Sequence, residues 1–277
     1  MALAITTNLS SINAQKQLMK STNALGKTFE RLSSGLRINR SADDAAGLSI
    51  SNRMTAQVRG TTQAIRNTND AISLVQVAEG ALNETTSALQ RIRELSVQAA
   101  NDTMTTSDRL DAQKEINQLL SEIDRIANTT TFNKSGLLSG AFSTGRKFQV
   151  GPDGAQTIQM SIRKATTLSM MSVAAGGTIK ISTQNLANSA IGRIDRALDS
   201  VSDIRAKLGA YQNRFEAVIA NLSNMVENTS AARSRILDAD IAAETANLTK
   251  HSILQQAGTA ILAQANQQPQ IALKLLQ

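Results

Sequence analysis

Residues 194–236 read IDRALDSVSDIRAKLGAYQNRFEAVIANLSNMVENTSAARSRI, and their apolar side chains recur every seven positions. The first row consists of Ile194, Val201, Leu208, Phe215, Leu222, Thr229 and Ile236, and the second of Ala197, Ile204, Tyr211, Val218, Met225 and Ala232. Two proline-free rows sustained over six heptads are typical of the a and d positions of a coiled coil. This stretch therefore predicts a long helix with one continuous apolar seam.

The N-terminal half carries the same pattern. Val58, Ile65 and Ile72 form one row, and Val75, Leu82 and Leu89 form another. A seam cannot bury itself, so each long helix needs a partner, and the simplest partner is the other half of the chain. We therefore predict a mainly α fold, a long antiparallel coiled-coil helical rod made from paired N- and C-terminal segments. The predicted self-assembly seam comprises Val75, Leu82, Leu89, Ile194, Val201, Leu208, Phe215 and Leu222.

The composition agrees with this fold. The chain of 277 residues is 41% hydrophobic but only 2% aromatic, and it contains neither Trp nor Cys. Few large aromatics suit narrow helix–helix seams better than one broad core. The lack of cysteine excludes a disulfide framework and a thiolate metal site.

The rod is predicted to lie between two terminal arms. Residues 1–43 and 237–277 are expected to form paired helical arms, and residues 44–140 with 185–236 the coiled-coil rod. Apolar stripes mark the arms, with Ile5, Leu9 and Ile12 at one end and Ile241, Leu248, Leu254, Ile261 and Leu262 at the other. Nothing else in a monomer would cover these stripes, so the arms indicate assembly.

A short insert interrupts the helical pattern at residues 141–184. Residues 146–150 and 157–162 alternate with period two, and the turn sequence Gly151-Pro152-Asp153-Gly154 lies between them. We predict a small β-hairpin here.

Enzyme chemistry has almost no candidate residues. The single histidine, His251, has no neighbour in the sequence that could supply a second zinc ligand, and no phosphate-binding glycine loop is present. The carboxylate pairs Asp43/Asp44 and Asp238/Asp240 precede predicted helices, where capping is the simpler explanation. The sequence therefore predicts a protein that is not an enzyme and binds no cofactor or metal.

The net charge of +7 first suggests nucleic-acid binding. The excess is partly on the N-terminal arm and otherwise diffuse, without interleaved aromatics or a groove-reading motif. No apolar run reaches the ~18 residues of a membrane-spanning helix, and the N-terminus lacks the pattern of a cleaved signal peptide. We expect neither nucleic-acid binding nor membrane insertion.

Several motifs resemble bacterial flagellins, in order and spacing. They are Leu32-Ser33-Ser34-Gly35-Leu36-Arg37-Ile38-Asn39, Asp43-Asp44-Ala45-Ala46-Gly47-Leu48, Gln90-Arg91-Ile92-Arg93-Glu94-Leu95-Ser96-Val97-Gln98, Ser234-Arg235-Ile236-Leu237-Asp238-Ala239-Asp240 and Gln264-Ala265-Asn266-Gln267. The similarity covers about residues 1–140 and 185–277, which leaves out only the insert.

The resemblance implies a structural subunit that polymerises into the flagellar filament for swimming motility. The arms would form the inner filament core, the rod the outer core, and the insert the filament surface. The chain would be transiently cytoplasmic, exported unfolded through the flagellar channel, and extracellular once assembled. The implied partners are other copies of the chain, the export apparatus, the filament cap, the hook–filament junction proteins, and an export chaperone that binds about residues 237–277.

The resemblance also implies recognition by host flagellin-sensing receptors. The family's Toll-like receptor site corresponds to Arg91, Leu95 and Glu115. The C-terminal leucines, Leu273, Leu275 and Leu276, resemble those read by intracellular receptors.

Two alternatives share part of this pattern. A hook–filament junction protein has the same terminal signatures but usually a longer middle region. A soluble chemoreceptor-like coiled-coil signalling adaptor is also rich in alanine and poor in aromatics, but it should lack the loops at residues 37–44 and 237–240 and the β insert.

Overall fold

The computed structural model describes residues 7–170 and 179–274, apart from the side chains of residues 168 and 268–274. The helices are α1 (Leu9–Ser34), α2 (Ala45–Ala99), α3 (Thr106–Thr129), α4 (Thr167–Met170), α5 (Gln184–Leu237) and α6 (Ile241–Lys274). The strands are β1 (Thr131–Phe132), β2 (Ser135–Gly136), β3 (Arg146–Gln149) and β4 (Thr157–Met160). The predicted fold class, mainly α with a small β insert, is confirmed.

The chain divides into two compact units. The first contains residues 1–58 and 227–277, and the second contains residues 59–226. The boundaries therefore fall within α2 and α5, about 15 residues after the arm–rod division that the sequence suggested at 43/44 and about 10 residues before the one at 236/237.

In the second unit α2 and α5 run antiparallel. Arg93 on α2 pairs with Asp195 on α5 at 2.7 Å, and Glu79 pairs with Arg205 at 3.7 Å. From the first pair to the second, the residue number on α2 falls while the residue number on α5 rises. The two helices therefore run in opposite directions. One hydrophobic cluster contains the buried residues of both helices.

The buried face of α2 follows a strict heptad over the length of this unit. The a positions are Thr61, Thr68, Val75, Leu82, Leu89 and Ser96, and the d positions are Ala64, Ala71, Ala78, Thr85, Ile92 and Ala99. The row Val58, Ile65 and Ile72, which the sequence suggested, is wrong as the buried face because all three are only half-buried. Small and hydroxylated residues hold those buried positions instead. Hydroxyls are tolerated there because each can donate to its own helix, as Thr68 does to the carbonyl of Ala64 at 2.7 Å.

Helix α3 folds back beside the C-terminal part of α2. It begins at a capping box, in which the Thr105 hydroxyl accepts from the Asp108 backbone and the Asp108 carboxylate accepts from the Thr105 backbone. Ile116, Leu120 and Ile123 of α3 are buried in the same hydrophobic cluster as α2 and α5. The second unit is therefore built on three packed helices.

The insert packs against these helices through its hairpin. Strands β3 and β4 pair antiparallel, with Phe148 opposite Ile158, which confirms the predicted hairpin. The ring of Phe148 lies edge-on to Phe215 of α5, with centroids 6.1 Å apart. On the other side, Asn67 of α2 donates from Nδ2 to the Gln149 carbonyl at 3.2 Å. The hairpin is thus anchored to both long helices.

In the first unit α1 and α6 pair antiparallel. Asn8 donates from Nδ2 to the Ala265 carbonyl at 2.7 Å, and Ser21 donates to the His251 carbonyl at 3.3 Å. At the other end of the pair, the Ala239 amide donates to the carbonyl of Gly35 at 2.9 Å. Gly35 ends α1 with φ of 70°, a left-handed conformation that glycine adopts without steric cost.

Two of the four paired carboxylates cap helices as predicted. Asp44 accepts from the Gly47 amide at the start of α2, and Asp240 accepts from the Ala242 and Ala243 amides at the start of α6. Asp43 instead accepts from the amides of Asn39 and Arg40, and Asp238 accepts from the Ser234 hydroxyl.

Among the described residues, no helix combines the length and apolarity that crossing a membrane requires.

Candidate assembly and recognition surfaces

The eight residues of the predicted seam are all buried within a single chain. Phe215, Leu82 and Leu89 are among its largest fully buried side chains, and Leu222, the most accessible of the eight, is 7% exposed. The heptad pattern also explains why the remaining four, Val75, Ile194, Val201 and Leu208, face the same cluster. These side chains hold the subunit's own helices together and are not available to a neighbouring molecule.

The arms present the opposite situation, because their pairing leaves large apolar side chains uncovered. Leu9 is 67% exposed and Phe29 65%. The other exposed large apolar residues of the arms are Ile12, Met19, Ile241, Ile253, Leu254 and Ile261. Among the residues whose side chains are described, the first unit thus carries eight such residues and the larger second unit five, so the uncovered apolar surface is concentrated on α1 and α6.

Not every predicted arm residue is uncovered. Leu248 and Leu262 are half-buried in the α1–α6 pair. Ile5, Leu275 and Leu276 lie outside the described residues, and of Leu273 only the helical backbone is described.

An apolar groove of about 640 Å³ runs between the two arm helices. Leu25, Gly26 and Phe29 line it from α1, and Leu248 and Ile253 from α6. Apart from the backbone and neighbouring residues of its own helix, no atom lies within 4 Å of the place where a Cβ at Gly26 would be. Sequence reasoning missed this groove, because the signal is the absence of a side chain at one position of a helical stripe.

The residues predicted for receptor recognition come together only in part. Arg91 donates from Nε to Glu115 Oε1 at 2.9 Å and from Nη1 to Glu94 at 3.1 Å, and the Arg91 and Glu115 side chains are 51% and 45% exposed. Hydrogen bonds to Glu115 and then Glu94 raise the pKa of Arg91 above its ordinary value.

Leu95 is not part of that exposed surface. It is 4% exposed and belongs to the hydrophobic cluster. The spacing of four suggested that it would share the exposed face of Arg91, but Leu95 is buried in the cluster that α2 forms with α3 and α5. The exposed Arg91 patch therefore consists of Arg91, Glu94 and Glu115.

No arrangement among the described residues favours catalysis or metal binding. His251 lies in the α1–α6 pair, where its Nδ1 is buried without a hydrogen-bond partner. The part of the chain that the structure describes contains no group of three or more His, Cys, Asp or Glu side chains placed to hold a metal ion.

Comparison with known proteins agrees with this organisation. Residues 5–143 match the bacterial flagellin N-terminal helical region, and residues 191–276 match the bacterial flagellin C-terminal helical region. A flagellin of Halalkalibacterium halodurans is 47% identical over 99% of this chain and 100% of its own length. Flagellin FlaB2 of Treponema pallidum is 44% identical over the same shares.

A solved structure is also similar. The crystal structure of Bacillus cereus flagellin has 30% identity and a TM-score of 0.49, and the match covers 61% of this chain and 94% of that one. Full-length relatives at this identity, together with family matches at both ends, show that the chain belongs to the bacterial flagellins and is a structural subunit of the flagellar filament.

Proposed function

We propose that the paired arms carry the subunit contacts that build the filament. In this proposal residues 1–43 and 237–277 form the inner core, residues 44–140 and 185–236 the outer core, and residues 141–184 the filament surface. The observation that carries it is the concentration of exposed apolar side chains on α1 and α6. Burying such a surface between copies of the chain would supply the driving force for polymerisation.

The groove beside Gly26 offers a test that separates assembly from folding. Gly26 lines the groove and a Cβ built there has open space, so Gly26→Leu adds apolar bulk at the groove wall. Replacing an interior helical glycine also favours the helix by up to about 1 kcal/mol. We expect a folded, equally or more stable protein whose filament growth from seeds, followed by electron microscopy, is slowed at least severalfold.

The matched control is Gly80→Leu in α2, where a side chain also has open space. It provides the same gain in helix propensity but lies in the second unit, and it should leave filament growth unchanged. Growth of Gly26→Leu at the wild-type rate would contradict the role of the arm groove.

The export pathway is the second part of the proposal. The chain would leave the cytoplasm unfolded through the flagellar channel, with a chaperone bound to about residues 237–277. Ile241, Leu254 and Ile261 are exposed even when α6 is paired, and Leu248 and Leu262 would be uncovered before α1 packs on them. Such a stripe suits capture in an apolar groove. Capture of the export chaperone by a chain lacking residues 237–277 as efficiently as by the full chain would contradict this.

The further partners in this proposal are the export apparatus, the filament cap and the hook–filament junction proteins. No enzymatic activity and no cofactor are part of the proposed function, since the family is one of structural proteins.

Host receptors are the third part of the proposal. The exposed Arg91 patch would contact the Toll-like receptor, and Leu95 would hold the patch in place from the core. Leu273, Leu275 and Leu276 would be read by intracellular receptors. Receptor reporter assays on monomeric Arg91→Ala and Glu115→Ala should show reduced signalling at unchanged melting temperature. Full signalling by both variants would remove this site.

A further inference from the structure

The second unit contains a basic pocket to which the proposed function assigns no role. It has a volume of about 470 Å³ and lies between the segment that follows β4 and the helix α5. Its principal lining residues are Ser161, Arg163, Ile204, Lys207, Tyr211 and Arg214. This volume is within the range of small-molecule sites in proteins.

The cations of this pocket converge. Lys207 and Arg214 are seven residues apart on α5 and therefore share one helix face, and Arg163 approaches from the insert. Lys207 Nζ lies 2.9 Å from Asp203 Oδ2, and Arg163 Nη1 lies 3.8 Å from the same oxygen. Two cations from different elements thus converge on a single carboxylate oxygen, and Asp203 itself lies outside the pocket lining.

The pocket has more positive charge than the neighbouring carboxylate of Asp203 neutralises. Arg214 is exposed and makes no hydrogen bond or ion pair with any residue in the described part of the chain. With Arg163 and Lys207 it gives three cations to one carboxylate. A cleft lined by one sign of charge concentrates ions of the opposite sign.

The remaining lining residues indicate the rest of the ligand. Tyr211 is half-buried and stacks on Phe215 with centroids 6.5 Å apart, so its ring is held in place beside the cations. Ile204 adds apolar surface, and Ser161 adds a hydroxyl. Guanidinium and ammonium groups bind phosphate oxygens, while a fixed aromatic ring packs against planar or apolar groups.

We propose that this pocket binds a small phosphate-bearing molecule that also carries a planar ring. The phosphate would contact Arg163, Lys207 and Arg214, and the ring would pack against Tyr211. Because the pocket joins the insert to α5, occupancy also stabilises the contact between them. This site is independent of the arm surfaces through which subunits are proposed to polymerise.

Calorimetric titration of the full-length protein at fixed ionic strength tests the proposal, first with inorganic pyrophosphate and then with ADP. Arg214→Gln should weaken pyrophosphate binding about tenfold, because a charge-assisted hydrogen bond is lost. Asp203→Asn should strengthen it severalfold, since it removes the competing carboxylate. The matched control is Arg196→Gln, an exposed arginine on the same helix outside the pocket, which should bind as the wild type does.

The ring contribution is tested separately. ADP should bind the wild type more tightly than pyrophosphate does, and Tyr211→Leu should abolish that difference. The substituted charges are exposed, so melting curves should confirm that the charge variants remain folded. The proposal would be overturned if neither the wild type nor Asp203→Asn bound pyrophosphate. It would also be overturned if Arg214→Gln and Arg196→Gln bound pyrophosphate equally well. An ADP affinity no higher than that of pyrophosphate would overturn its ring component.

Discussion

The guanidinium of Arg109 donates from Nε to the backbone carbonyl of Ala99 at 2.9 Å, so the first turn of α3 caps the last turn of α2. The same group donates from Nη2 to the Asn101 carbonyl at 3.0 Å, and the side chain is buried. Carbonyls at a helix C-terminus have no partner within the helix. Arg109 supplies one from the next helix and so fixes the turn between α2 and α3.

Loss of this cap should destabilise the second unit. Arg109→Met keeps much of the side-chain volume but removes charged hydrogen bonds to two carbonyls, and we expect a loss of about 1.5–3 kcal/mol in unfolding free energy. Urea denaturation followed by circular dichroism measures this. Arg125→Met on the same helix removes only an exposed pair with Glu122, and it should change stability by less than about 1 kcal/mol. Equal effects of the two substitutions would contradict the capping role.

The centre of the α2–α5 seam should be the most sensitive part of the core. Phe215 is fully buried and touches the rings of Phe148 and Tyr211. Phe215→Ala should cost about 3–5 kcal/mol, because it leaves a cavity and removes the ring that anchors the hairpin. Leu186→Ala on the same helix is the control, since Leu186 is exposed and should contribute little. A melting temperature unchanged by Phe215→Ala would exclude this packing.

The side-chain amide of Gln113 should hold the C-terminal end of the insert. Its Nε2 donates to the Ile179 carbonyl at 2.8 Å, and its Oε1 accepts from the Ile181 amide at 2.7 Å. Gln113→Ala removes both bonds, so the Ile181 amide should exchange with solvent faster, as measured by hydrogen exchange. Gln118→Ala, an exposed position on the same helix, should leave that exchange rate unchanged. Protection of Ile181 that survives Gln113→Ala would mean that another group holds this segment.

Acid should weaken the loop between α1 and α2. The hydrogen-bonded ammonium of Lys27, 2.8 Å from Asp43 Oδ1, together with the amides of Arg40 and Asn39, lowers the pKa of Asp43 from 3.8 to about 2. A carboxyl whose pKa is depressed by folding contributes stability above its ordinary pKa, and that contribution is lost as the pH falls from about 4 towards 2. The pKa should be visible in the carboxyl carbon shift by NMR.

Substitution of either partner checks the cause. Lys27→Gln should raise the pKa of Asp43, because the largest lowering contact is removed while the backbone amides remain. Asp43→Asn should remove this part of the acid sensitivity. An Asp43 pKa that is the same with and without Lys27 would contradict the assignment.

The sequence predicted the α5 face of the seam because its members, such as Ile194 and Phe215, are large and apolar at constant spacing. It did not predict which face of α2 is buried in the part of that helix where Thr61, Ala64 and Thr68 are buried. Threonine and alanine also occupy exposed helix faces, so their types alone do not mark a buried position. The apparent row of Val58, Ile65 and Ile72 was more hydrophobic but less buried.

Leu95 and Phe148 also separate what the sequence predicted from what depended on tertiary packing. A spacing of four residues relates Leu95 to Arg91 on one helix, yet tertiary packing buries Leu95 and leaves Arg91 exposed. Alternation predicted the hairpin that contains Phe148, but nothing in the alternation identified Phe215 as the ring on which it packs.

By itself, the sequence determined the long helices, the seam of α5, the helix-capping roles of Asp44 and Asp240, the hairpin and the family, because each depends on residues close together along the chain or on a repeated spacing. Only the tertiary structure decided the buried face of α2 near Thr61, the burial of Leu95, the groove at Gly26 and the basic pocket around Arg214. Those features depend on which elements pack side by side, and the free energy that selects such packing comes from contacts between residues far apart in sequence.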